Sequence, residues 1–172
     1  MSKRARQYIG IFSAVAAYYL IHEGAHLIYA LAAGVLKGVK FMGLGVQVDV
    51  FGERLTSGGL GAFCLVGALA TLFAGYLLSA LAKRICRAES KLLRAVAYYV
   101  TIAFLLLDPL YLSALCGFFG GGDMNGIALL FPEWAARCFF GAVLLLNVFV
   151  FVKRVLPTYR SSFSPKSDRT LS

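Results

Sequence analysis

The sequence predicts an all-α membrane protein of about four transmembrane helices, with a small β-hairpin between the first and the second. Three observations point there. The 172 residues are 60% hydrophobic and only 15% charged, and the mean hydropathy is +0.78; soluble domains run near half apolar and a quarter charged. The apolar excess is concentrated in four runs, roughly Tyr8–Gly34, Gly59–Ala82, Leu92–Phe118 and Trp134–Val152. Each matches or exceeds the ~20 apolar residues that cross ~30 Å of hydrocarbon. The third observation is one stretch that alternates instead of running apolar.

The elements follow in chain order. The first run is too long for a signal peptide and lacks a small-residue cleavage site, so it reads as a span. Between the first two runs, Val46-Gln47-Val48-Asp49-Val50 has the two-residue period of a half-buried strand. Val39-Lys40-Phe41 is its candidate partner, with Gly43 and Gly45 supplying the turn. The second run is rich in small residues, Gly58-Gly59-Leu60-Gly61 through Gly67-Ala68-Leu69-Ala70. The third contains Asp108-Pro109, where loss of a backbone donor predicts a kink or break. It ends in a glycine run, Gly120-Gly121-Gly122, which cannot form a helix interior. Irregular backbone at such depth is tolerated only where protein or a wet cavity shelters it, so this segment is expected to serve a site. One membrane domain is expected over residues 1–156, with a polar, disordered cytoplasmic tail over 157–172.

A net charge of +9 and a pI near 9.6 raise the question of nucleic acid, but the charges are placed otherwise. Thirteen of the 17 Lys and Arg residues precede the first run, lie between the second and third, or follow the fourth. The positive-inside rule makes that side cytoplasmic, with both termini on it. A lipid bilayer, not nucleic acid, is the expected surroundings. Cys64, Cys86, Cys116 and Cys138 form no CxxC pair and are expected to be small buried hydrophobes.

The chemistry lies in His22-Glu23-Gly24-Ala25-His26, which holds the only two histidines of the chain. Spaced four apart on a helix, both imidazoles share one face and can grip one ion. Glu23 stands where it could take a proton from water on a bound zinc. Ionisable side chains inside a span cost several kcal/mol unless paired or functional, and here three fall within five residues. The rival readings are a polar cluster joining helices, a haem site and zinc transport. Histidines on adjacent turns cannot take opposite axial positions of one haem, and the runs hold too few polar residues for a transport path. A catalytic zinc wants a third protein ligand, and no histidine remains. Asp49, Glu53, Asp108, Asp123 and Glu133 are the candidate carboxylates. Because the first and third helices end on the same side, Asp108 and Asp123 lead.

These features together resemble the site-2 protease family of intramembrane zinc metalloproteases, in particular its small members. The resemblance covers roughly residues 15–130: HEGAH in an apolar helix, a strand-forming loop, a small-residue second helix, and a third helix with an acid-proline pair and a glycine-rich acidic turn. Gly122-Asp123-Met124-Asn125-Gly126 is similar to the family's aspartate-containing turn, and Asp108-Pro109 to its asparagine-proline element. The resemblance implies a zinc site of His22, His26 and Asp123 with Glu23 as catalytic base. Asp108 and Asn125 are expected either to support those ligands from behind or to replace one. It implies a peptidase acting on membrane-spanning segments of other proteins; the alternative is a non-catalytic binding or chaperone relative that retains the motif. Family members usually cut near the cytoplasmic face, whereas the charge rule puts this site near the opposite one.

Overall fold

The computed structural model describes residues 1–42 and 45–164. Its elements are helix α1 (Lys3–Ala32), strands β1 (Leu36–Met42) and β2 (Gly45–Val50), and helix α2 (Ser57–Ile85), followed by α3 (Lys91–Leu110), a short α4 (Asp123–Ile127), α5 (Glu133–Val150) and α6 (Leu156–Phe163). Wide π turns extend α3 over Tyr111–Leu115 and join α5 to α6 over Phe151–Val155. Four continuous stretches are long and apolar enough to cross a membrane: Lys3–Ala32, Ser57–Ile85, Lys91–Phe118 and Glu133–Phe163. Side-chain oxygens of Ser2, Thr56 and Ser90 cap α1, α2 and α3 by accepting from the amide three residues on, satisfying donors that every helix start leaves orphaned.

The bundle runs up, down, up, down. Tyr29 on α1 donates to the Gly59 carbonyl on α2 at 3.0 Å, while Ala17 and Tyr18 pack near Ala74 and Leu78, so these helices are antiparallel. Gly10 of α1 lies against Ala95 and Tyr99 of α3, and Tyr18 reaches Asp108, so α1 and α3 are parallel. The core joins α2, α3, α4 and α5 through Ala68, Leu72, Leu112, Met124, Ile127 and Phe140. Outward faces carry large apolar side chains such as Phe12, Leu20, Phe73 and Leu145, each more than 70% exposed.

The hairpin forms as the alternation predicts. β1 and β2 pair antiparallel, with Val39 opposite Val48 and Phe41 opposite Val46. Val48 is buried beside Ala30, Val35 and Phe63 while Gln47 faces out. Gly43, expected in the turn, lies outside the described residues.

One expectation is narrowed and one needs correction. The helix does not break at Asp108-Pro109; α3 continues to Leu110. Proline cannot donate to the carbonyl four residues back, which is that of Leu105. Asn147 on α5 supplies the missing donor, its Nδ2 lying 2.6 Å from the Leu105 oxygen, and Tyr76 donates to Asn147 Oδ1 at 2.5 Å. The tail expected to be disordered from residue 157 is helical through Phe163. Pro157 sits in the first turn of α6, where a missing N–H costs nothing. Tyr159 and Ser162 are buried, and Arg94 donates to the Ser162 carbonyl at 2.5 Å. Residues 165–172 lie outside the described residues. The four cysteines are unbridged; Cys116 is buried as expected, Cys64 and Cys86 are half-buried, and Cys138 is exposed because it sits on the outward face of α5.

Candidate metal centre

Both histidines occupy the inward face of α1 and are buried. Their Nε2 atoms lie 3.2 Å apart. Asp123 arrives from the other side of the glycine run. Gly120, Gly121 and Gly122 take φ values of 79°, 87° and 47°, in the left-handed region that only glycine enters freely, and the chain doubles back there to start α4. Met124 and Ile127, fully buried, anchor that turn. Asp123 Oδ2 then stands 3.2 Å from His22 Nε2 and 3.6 Å from His26 Nε2.

Three donor atoms thus converge from two separated segments. Ligand atoms held at about 2.0–2.1 Å around a tetrahedral zinc are roughly 3.3–3.4 Å from one another. The separations of 3.2, 3.2 and 3.6 Å match that triangle, so the residues fit zinc. The wall of α2 leaves room for nothing larger than hydrogen against the Nε2 atoms. A Cβ on Gly67 would lie 2.5 Å from His26 Nε2 and 2.8 Å from His22 Nε2. Burial alone would push the Asp123 carboxyl up, but the facing His22 and His26 rings outweigh it and hold it at about 2.

Asp108 takes a different place. Its Oδ1 lies 3.3 Å from His22 Nδ1, the nitrogen facing away from Asp123. Tyr18 donates to the same oxygen at 2.5 Å and the Thr71 hydroxyl donates to Oδ2. A carboxylate behind a histidine fixes the tautomer that leaves Nε2 free as a ligand atom. Asp108 thus stands behind His22, outside the three convergent atoms. Asn125 does not enter the cluster: it is exposed, and its amide donates to the Gly120 carbonyl at 3.1 Å, tying the glycine turn that presents Asp123. Of the other candidate acids, Asp49 pairs with Lys40 and Lys37, Glu133 pairs with Arg137, and Glu53 is exposed.

Glu23 lines a cleft of about 280 Å³ together with His26, Asp123 and residues 45–48 of β2. Its Oε2 accepts from the Val48 amide at 3.0 Å. That N–H points away from β1, so the unpaired edge of β2 forms one wall of the cleft; by the alternation of antiparallel ladders the polar groups of Val46 face the same way. Sequence reasoning missed Tyr18, Thr71 and Gly67. The run of small residues in α2 signalled close approach but not what is approached. No protein-family model, curated protein or solved structure matches the chain, so the geometry and the motif carry the functional reading.

Proposed function

We propose that the chain is a zinc endopeptidase that cuts peptide bonds in or near membrane-spanning segments of other proteins. The observation that supports it best is the convergence of His22, His26 and Asp123 beside Glu23 in a cleft walled by an open strand edge. His22, His26 and Asp123 would hold the metal. Bound there, zinc supplies Lewis acidity and brings the pKa of a coordinated water toward ~7.

The chain's own residues do the rest. Glu23 is the proton carrier: it accepts a proton from the attacking water and passes it to the leaving amine. Asp108, held by Tyr18 and Thr71, keeps the His22 ring oriented. The free edge of β2 binds the substrate as an added strand, exchanging backbone hydrogen bonds at Val46 and Val48. A substrate helix must unwind to meet that edge, because a helical peptide bond is occupied by its own hydrogen bonds. Polar groups freed by the unwinding need a sheltered surface at membrane depth, which the cleft provides.

Glu23→Gln tests this reading. Glutamine retains an oxygen to accept from the Val48 amide, so the fold and zinc content should persist while cleavage falls by ~10²–10⁴-fold or more. Crosslinking in that background, followed by mass spectrometry, should capture uncut membrane substrates. Wild-type processing by Glu23→Gln cells would sink the protease reading and favour the non-catalytic relative.

The same reading places the four apolar stretches across a bilayer with both termini cytoplasmic. In a cysteine-free background, a cysteine at Ser2 should then be labelled only from the cytoplasmic side, and one at Gly52 only from the other. Labelling of Ser2 from outside would reverse the orientation and move the cleft to the cytoplasmic face.

A further inference from the structure

The opposite end of the bundle holds a second cavity, of about 450 Å³, between the starts of α1 and α3 and the flank of α6. Lys3, Arg6, Lys91 and Arg160 line it, with Tyr98 and Tyr159 among its aromatic walls, and among the described residues no acidic one does. Among the described residues, none of these four cations is ion-paired with a carboxylate. Arg6 donates to the Met1 carbonyl at 2.9 Å, which leaves the rest of its guanidinium for a ligand.

The placement of the cations favours an anion. Lys3 and Lys91 are the first residues of α1 and α3, and neither helix has an acid in its first turn. Helix starts carry positive dipole charge and favour anions; here two of them meet side by side, each with a lysine added. Mutual repulsion should scatter these side chains, yet they surround one cavity. Its floor is firm. Tyr159 is 1% exposed, its ring centroid lies 5.2 Å from that of Tyr98, and the Arg94–Ser162 hydrogen bond holds α6 down on α3.

We propose that this cavity binds a phosphate-bearing anion, either a phospholipid headgroup or a soluble phosphate compound. Guanidinium and ammonium groups ring the charge, and the tyrosine faces pack against the apolar part of the ligand. The site is independent of the metal centre: His22 lies sixteen residues beyond Arg6, about 24 Å along α1 at the helical rise. Its lipid form needs the bundle to lie in a bilayer, where a cationic cavity at the cytoplasmic end meets the anionic leaflet; the soluble form does not.

The test uses the full chain in neutral detergent, titrated with short-chain phosphatidylglycerol, phosphatidylcholine of the same length, and inorganic phosphate, and read by native mass spectrometry. Phosphatidylglycerol should bind at about one per chain and at least tenfold more tightly than phosphatidylcholine. Lys91→Gln with Arg160→Gln should weaken it roughly ten- to thirtyfold. Lys83→Gln with Arg84→Gln, exposed cations at the same end but outside the cavity, should leave it unchanged. Competition by millimolar inorganic phosphate would assign the site to a soluble compound, and its absence to the lipid. Equal binding of both lipids without phosphate competition, equal weakening by both double variants, or no binding of any probe would overturn the proposal.

Discussion

Two polar clusters are buried among the apolar helices, and they are built on opposite principles. Around Asn147, every group has a complementary neighbour: Tyr76 donates to its oxygen, and its amide donates to the Leu105 carbonyl that Pro109 leaves free. Around His22 and His26, three potential ligand atoms crowd within 3.6 Å of one another, joined by two 3.2 Å contacts whose donor depends on the tautomer. Nδ1 of His26 is buried without a hydrogen-bond partner among the described residues. A closed network is complete in itself and holds helices together. A convergent one, with three potential ligand atoms aimed at a single point, offers a place for a cation.

The largest effect that would break this contrast is on metal content. Wild-type protein should carry about one zinc per chain, and Asp123→Ala or His26→Ala should carry almost none, because each removes one corner of the ligand triangle. Asp108→Asn should still bind zinc, but ~10–100-fold more weakly, as is typical when the partner behind a ligating histidine is lost. Elemental analysis after gentle extraction, with chelator competition for affinity, checks both. If Asp108→Asn empties the site while Asp123→Ala leaves it filled, the ligand assignment is wrong.

The closed network predicts a smaller effect of another kind. Asn147→Ala strands the buried Leu105 carbonyl, at about 1–3 kcal/mol for a buried unpaired group, and removes the acceptor of the partly exposed Tyr76 hydroxyl. The value should lie near the lower end, since hydrogen bonds between membrane helices average about 0.6 kcal/mol. Zinc content should be untouched. Thermal unfolding in detergent reports the first quantity and elemental analysis the second; zinc loss without destabilisation would mean the two clusters are not independent.

How much of this could be read in advance depended on whether a feature is written locally. The two histidines four apart, the alternation from Val46 to Val50 and the glycines before Asp123 are local patterns, and each produced the expected element. The role of Asp108 is only half legible: the shared end of the first and third helices puts it near the histidines, but which ring nitrogen it faces depends on the rotation of α3 against α1. Asn147 is a polar residue in an apolar run, but its partner lies 42 residues away and exists only because Pro109 removes a donor. The helix at Pro157 was misread because proline breaks a helix interior and also suits a first turn; Tyr159, two residues on and almost fully buried, was the sign that this segment packs.

The smallest predicted effect comes from a third kind of polar contact, the solvent-facing pair on the hairpin. Asp49 lies 2.6 Å from Lys40 and 3.4 Å from Lys37, with the two lysine side chains more than half exposed. The Lys40 ammonium, helped by Lys37, holds the Asp49 carboxyl below its ordinary value. A depressed carboxyl stabilises the hairpin above the pKa it has when unfolded, about 3.9, and that contribution fades as pH falls through the lower folded value. Near neutral pH the pair is intact but screened by water, as exposed ion pairs generally are. Asp49→Asn should therefore leave zinc content and unfolding temperature unchanged and raise hydrogen exchange of the hairpin amides only slightly at pH 7. Only once the pH has fallen below that lower folded value should wild type and variant exchange alike, because protonation has then removed the charge. If Asp49→Asn instead abolished zinc binding, the ordering of these contacts would fail, since a half-buried residue of the hairpin would then control the buried centre.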